Sequence, residues 1–160
     1  MRGGAKLWKT ITAYPRAVNP DTGEFIPVRC VLRRCTWMDE SVTTTLETGN
    51  VVSNITVIRV FDDPQGKRYI PPHEWNRLPI TPGMEAFAPY WTVDLTQPLR
   101  LIVPWESEYI FPSWGTAATP ENRFMNDNPG VRNIQDFNDN RFDDVEGASS
   151  VRGRHILLRC

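Results

Sequence analysis

The sequence predicts a mainly β protein, a small β-barrel or sandwich with one short helix and long loops. Short runs of β-branched and aromatic residues recur along the chain, and clusters of turn residues separate them. No alternation of strand and helix patterns is visible, which disfavours a parallel α/β fold. With 160 residues, of which 40% are hydrophobic, the chain is about the length of one globular domain. We therefore expect a single β-barrel domain over residues 1–160.

The N-terminal part of the chain predicts an antiparallel strand pair. Residues 6–14 are rich in β-branched and aromatic residues, and this run stops at Pro15. The segment Asn19–Gly23 has turn chemistry, because proline presets φ and glycine accepts a positive φ. Residues 25–37 are then expected to return antiparallel to the first strand.

A polar, threonine-rich stretch over residues 38–53 follows, and a clear strand over residues 54–61 comes after it. We expect residues 38–53 to form a projecting loop with Gly49 and Asn50 at its tip, because these two residues favour turns.

The C-terminal part predicts a helix, four strands and a long loop. Proline suits a first helical turn, so Pro71–Leu78 is expected to be the short helix. Residues 112–130 are rich in Pro, Gly, Asn and Ser and predict a long surface loop. The remaining predicted strands are 90–94 paired with 99–103, then 131–137 and 154–159.

Charge is segregated along the chain although the net charge is only −1. Residues 1–34 contain seven Lys or Arg and two acidic residues, whereas residues 136–146 contain five acidic residues and one Arg. Opposed potentials can fix the register between copies of a chain, although solvated strand faces and loops would give the same pattern. The candidate interface residues between copies are Arg29, Arg33, Arg34, Asp139, Asp143 and Asp144.

Three cysteines cannot all pair within one chain, and the N-terminus has no apolar core of a secretory signal. No apolar stretch approaches the roughly 18 residues of a membrane span. We therefore expect a cytosolic, reduced protein that does not enter a membrane.

No motif predicts an enzyme, a metal or a cofactor. Cys30 and Cys35 are five residues apart on one predicted strand, which places them on opposite faces and argues against zinc binding with His73 and His155. Nothing near Cys35 presents it as a nucleophile. The segment 136–140 has oxygen ligands at calcium-loop spacing, but Arg141 follows where glycine is needed.

Tryptophans offer a different function. Trp91, Trp105 and Trp114 could stack on sugars or unpaired bases. Core packing is the expected role of Trp91, because it lies in an apolar run. A ligand-binding barrel for glycans or nucleic acid is therefore the alternative function.

Three segments together resemble a known family. The first is Cys30–Trp37 with the strand over 53–60, the second is Tyr69–Leu78 leading to the strands at 90–94 and 99–103, and the third is Val131–Ile134 followed by Asn138–Arg141 and His155–Leu158. In this order they resemble the small head-closure, or stopper, proteins of tailed bacteriophages, some of which are labelled minor capsid proteins. The loop over 112–130 and the run Gln97–Leu99 depart from the family pattern, which leaves open the related roles of adaptor and tail terminator.

The resemblance implies a barrel-like protomer in a homo-oligomeric ring, a hexamer, at the virion neck, made in the host cytoplasm. Its partners would be a portal or adaptor protein on one side, tail proteins on the other, and packaged DNA in the central channel. The loop over residues 38–53 carries three acidic residues and no Lys or Arg, so it suits a channel lining that does not grip phosphate. The candidate channel residues are Asp39, Glu40, Thr43, Thr44, Thr45, Glu47 and Asn50.

Overall fold

The computed structural model describes residues 8–111, 120–141 and 154–160, and these residues are mainly β. Seven strands form one antiparallel sheet in the order β10-β11-β5-β4-β1-β8-β9. They are β1 (Lys9–Tyr14), β4 (Cys30–Leu46), β5 (Gly49–Phe61), β8 (Leu101–Val103), β9 (Arg132–Asn133), β10 (Asp136–Asp139) and β11 (His155–Arg159).

Two pairs of short strands lie outside this sheet. The strand β2 (Arg16–Val18) pairs antiparallel with β3 (Phe25–Pro27), and β6 (Arg68–Tyr69) pairs parallel with β7 (Tyr90–Trp91). The helices are α1 (Pro72–Trp75) and α2 (Pro120–Asp127), with a 3₁₀ turn at Glu85–Phe87.

The large sheet closes on itself through its two end strands. The strand β9 pairs with β8 and β10 pairs with β11, yet β9 and β10 are separated by only two residues. One of these, Ile134, donates its N–H to the carbonyl of Arg100, while the other, Gln135, donates to the carbonyl of Arg159. The chain between β9 and β10 therefore bonds to both ends of the sheet, which confirms the barrel-like form expected from the sequence.

The core lies inside this curved sheet. Its fully buried side chains include Ile11, Ile58, Ile102, Ile156 and Leu158 from four different strands. Trp75 and Phe87 pack edge to face at 4.7 Å, and the Trp75 indole N–H donates to the carbonyl of Arg16 at 2.9 Å. The short helix and the 3₁₀ turn therefore contribute aromatic side chains to this core.

A second apolar cluster lies on the outer side of β1. Tyr14, Leu101, Val103, Phe111 and Phe124 are each at most 6% exposed and pack together. This cluster explains why consecutive residues of β1 are buried although strand side chains alternate between faces.

The structure corrects the predicted loop over residues 112–130, whose described part contains α2. Proline at the start, Glu121 in the first turn and the buried Phe124 are the helix signals that the Asn- and Pro-rich composition obscured. Helix α2 is held by the buried ion pair of Glu121 with Arg16 of β2, in which Arg16 Nε lies 2.8 Å from Glu121 Oε2. The predicted helix over Pro71–Leu78 is also shorter, because α1 ends at Trp75.

Two further strand predictions need correction. The segments 90–94 and 99–103 do not pair with each other, because β7 pairs with β6 while β8 pairs with β1 and β9. The prediction that Cys30 and Cys35 lie on opposite faces is also wrong, since both are fully buried in the same core. Two residue steps on β1, from Lys9 to Ile11, lie opposite three steps on β4, so β4 has one extra residue there. This bulge reverses the in-and-out alternation of the β4 side chains after Leu32.

Candidate functional site

The most distinctive surface of the protein is the distal hairpin, defined here as residues 38–53 of β4 and β5. The two strands pair without interruption from Cys35 opposite Val60 to Leu46 opposite Gly49, and Glu47 and Thr48 form the turn. Every residue of the distal hairpin is exposed. The prediction of a projecting segment is therefore correct, but it is an extended ribbon and its tip lies at Glu47-Thr48, two residues before the predicted one. Gly49 follows the turn with φ of +130°, a conformation that favours glycine.

The distal hairpin has an apolar face and a polar face. Residues directly opposite in an antiparallel pair share a face, and successive residues alternate. The face that continues the outer surface of the barrel is apolar, with the exposed side chains of Met38, Val42, Leu46 and Val51. We call it the apolar face; Ile55 and Val57 extend it toward the barrel.

The polar face is the continuation of the barrel's inner surface. It carries Asp39, Ser41, Thr43, Thr45, Asn50 and Asn54, with Val52 as its exposed apolar residue. At the base of the hairpin, Thr56 Oγ1 donates to Asp39 Oδ1 at 2.6 Å and accepts from Arg132 Nε at 3.3 Å. These bonds tie the ribbon to β9 beside a groove of about 630 Å³ that Asn133, Gln135 and Cys160 also line.

The outer edges of the distal hairpin expose unpaired backbone groups. The strand β1 pairs with β4 only as far as Cys35, and the chain of β11 bonds to β5 only as far as Thr56, which exchanges backbone hydrogen bonds with Cys160. Beyond these points no strand among the described residues pairs with either outer edge of the ribbon. A two-stranded ribbon of this kind is marginally stable alone, and its free edges offer backbone groups to other chains.

The candidate channel residues are divided between the two faces and the turn. Asp39, Thr43, Thr45 and Asn50 lie on the polar face, Glu40 and Thr44 lie on the apolar face, and Glu47 lies in the turn. The sequence interpretation treated residues 38–53 as uniformly polar and missed the apolar face. The signal that would have revealed it is the alternation of Met38, Val42 and Leu46 with polar residues at a period of two.

The candidate interface residues between copies make contacts within the chain. Arg33 Nη1 lies 3.2 Å from Glu106 Oε1 in an exposed pair, and Arg29 Nε donates to the carbonyl of Ser107. Arg34 donates to the carbonyl of Asp62 at 3.1 Å, and its guanidinium lies 5.0 Å from the ring centre of Trp8. Asp143 and Asp144 lie outside the described residues.

Asp139, the remaining candidate, is paired with Arg141 at 2.9 Å. Partial burial acts to raise the pKa of Asp139, but hydrogen bonds from Arg141 and its charge together hold that pKa below its usual value. The carboxylate is therefore already compensated within its own chain.

The cysteines show no sign of nucleophile activation. Burial raises the pKa of the Cys30, Cys35 and Cys160 thiols to about 12, so they are protonated at neutral pH. In the described part of the chain, no group of three or more His, Cys, Asp or Glu side chains is arranged to hold a metal ion. Asp136 pairs with Arg159 and Asp139 with Arg141, so the carboxylates of the calcium-like segment bind arginines instead of converging.

Of the three candidate stacking tryptophans, the structure describes Trp91 and Trp105, and these differ in exposure. Trp91 is 2% exposed and packs against Tyr69, which agrees with the core role expected for it. Trp105 is 37% exposed, and Trp114 lies outside the described residues. In the ranges that the structure covers, no helix is both long and apolar enough to cross a bilayer.

Comparisons with known proteins return no relative: no family model, no curated protein and no solved structure matches the chain.

Proposed function

We propose that this chain is a structural subunit of the head-to-tail connector of a tailed bacteriophage, a head-closure ring that joins the portal side to the tail and retains DNA. The observation that carries the proposal is the distal hairpin. A paired ribbon that leaves the barrel, is exposed on both faces and has free edges is suited to contacts with other chains.

The polar face fits a position beside passing DNA. Its single charge is Asp39, and Thr43, Thr45 and Asn50 supply neutral hydrogen-bonding groups. The hairpin part of this surface repels phosphate weakly and has no Lys or Arg of its own, so DNA can pass without being tightly bound. Ring symmetry would bring the polar faces of six copies together around the channel, where the hairpins could meet or block the DNA.

The apolar face fits a position against protein. Exposed Met38, Val42, Leu46 and Val51 lose contact with water when another protein surface covers them, and each such burial is favourable. The partners proposed are further copies of this chain in the ring, a portal or adaptor protein above it and tail proteins below it. The protein would be made in the host cytoplasm and would end at the virion neck.

Purified virions test the proposal directly. The chain should be present in a small fixed copy number per particle, and an antibody against it should label the junction between head and tail. Cryo-electron microscopy of the neck should show the chain as a ring with the distal hairpin at the channel. Absence of the chain from tailed particles would overturn the proposal, and binding of the free chain to glycans or oligonucleotides would favour the ligand-binding barrel instead.

A further inference from the structure

The apolar face of the distal hairpin is continuous with a basic surface on the outside of the barrel. Going down the ribbon, Glu40 is opposite Ile55, Met38 is opposite Val57, and Thr36 is opposite Arg59. All six residues share the outer face, because every second pair of an antiparallel ribbon does. The outer face therefore has an acidic and apolar distal half and a basic proximal half.

The charges of the two halves are opposite in sign. The distal half has Glu40, with Glu47 in the turn beyond it, and no Lys or Arg. The proximal half has three arginines and one acidic residue. Arg159 belongs to this half because it lies opposite Val57 in the sheet, and Asp136 belongs to it because it forms an ion pair with Arg159. The proximal arginines are Arg34, Arg59 and Arg159.

Two charged groups of the outer face make no polar contact within the described part of the chain. Among the described residues, neither the Glu40 carboxylate nor the Arg59 guanidinium has a hydrogen-bond or ion-pair partner. They lie on the same face and on opposite sides of the Met38–Val57 pair, each two residue levels away from it. A second copy of the same face, turned by 180° about the Met38–Val57 level, places its Arg59 level over Glu40 and its Glu40 level over Arg59.

We propose that a second copy of this chain covers the outer face in the free protein, in a two-fold dimer centred on Met38 and Val57. The charge pattern selects this occupant, because the face is complementary to itself when reversed and to no single-sign surface. Each contact forms twice: Glu40 meets the partner's Arg59 on both sides, and Met38, Val42 and Ile55 pack between the two ribbons.

The area of the face sets the strength of this contact. Centred on the Met38–Val57 level, the two ribbons overlap from the Arg34 level to the Val42 level, which is eight residue steps, or about 26 Å at ~3.3 Å per residue. With a width of about 10 Å for two strands, the dimer would bury about 500 Å² in total, well below the roughly 1,200 Å² of a stable specific interface. The dimer is therefore weak and reversible, and it covers Met38, Val42 and Ile55 until stronger contacts replace it during assembly.

Val42 and Val52 provide a matched pair of variants. Both are exposed valines one level apart on the ribbon, but Val42 lies on the apolar face and Val52 on the polar face. Sedimentation equilibrium over a concentration series reaching the millimolar range should show a monomer–dimer equilibrium for the unchanged chain. V42K should raise the dimer Kd at least tenfold, because the two-fold places this lysine over the Arg34 level of the second copy. V52K should leave the Kd unchanged within about twofold, because isolated surface substitutions have small effects.

Charge reversal tests the register. E40R should raise the dimer Kd about tenfold or more, because like charges meet at both symmetry-related contacts. R59E should do the same, and the double variant E40R/R59E should return the Kd to within a few fold of its starting value. Circular dichroism on each variant confirms that it is folded.

Disulfide trapping tests the two-fold axis. M38C should form a disulfide-linked dimer on mild oxidation, and T43C, on the opposite face, should not. A chain that stays monomeric at every concentration, or a dimer that V42K and V52K affect equally, overturns this inference. A free chain that forms rings insensitive to V42K and to the E40R/R59E exchange also overturns the inference, while supporting the proposed connector function. Absence of the chain from virions, with the dimer intact, overturns only the connector function.

Discussion

Replacing the distal end of the hairpin with a short turn should remove function without removing the fold. The change is to substitute Asn-Gly for residues Thr43–Val52. Four residues are lost from each strand, so the Val42–Ser53 pair takes the position in the hydrogen-bond ladder that Leu46–Gly49 has now. Asn-Gly is the preferred two-residue connection of such a ribbon.

The expected cost in stability is small because of where the removed residues lie. All ten of them are exposed, and none belongs to either apolar cluster. The free energy of unfolding should therefore change by less than about 1 kcal/mol, and the melting temperature by less than about 4 °C for a chain of this length. Differential scanning calorimetry measures both quantities.

Phage carrying the shortened hairpin supply the functional assay. With the proposed connector role, particles should lose packaged DNA or fail to join tails, while the free protein keeps its melting temperature. Nuclease-protected DNA per particle and the fraction of tailed particles are the measurements. Particles that stay full, tailed and infectious would refute the reasoning, since the hairpin would then serve neither the channel nor its neighbours. A loss of more than about 10 °C in melting temperature would instead show that the hairpin supports the barrel.

The barrel was predictable from sequence because its strands depend on local patterns. Alternating β-branched and aromatic residues identified β1, the β4–β5 region and β11. The partners of short strands were not predictable in the same way. The segments 90–94 and 99–103 are close in sequence and both apolar, yet β7 follows β6 in parallel while β8 lies between β1 and β9. Such pairing depends on how the sheet closes and not on the residues of one segment.

The bulge in β4 shows why side-chain direction is harder to predict than strand position. Counting by twos from Cys30 places Cys35 on the opposite face, but the extra residue opposite β1 brings both thiols into the core. The same bulge sets the direction of every later residue of β4. Because of it, Met38 and Val42 point outward and Asp39 points to the polar side. Composition alone could identify residues 38–53 as a separate segment, but only the register divides them into two faces.

Three further predictions concern the thiols, metal and the buried ion pair. Iodoacetamide at pH 8 should leave Cys30 and Cys35 unmodified in the folded protein and label both after unfolding. The reason is that burial raises the pKa of each thiol to about 12. Mass spectrometry of the labelled peptides measures the outcome. A chelator should leave the melting temperature unchanged, since the described residues contain no group of His, Cys, Asp and Glu that holds an ion. Glu121→Ala should lower the free energy of unfolding by about 3 kcal/mol, because it leaves Arg16, whose side chain is 6% exposed, as an uncompensated buried charge. The double variant that also changes Arg16 to Met removes that charge and should recover a large part of the loss, which denaturant unfolding measures. If the double variant were destabilised by the sum of the two single changes, the ion pair would not be the contact that holds α2 to β2.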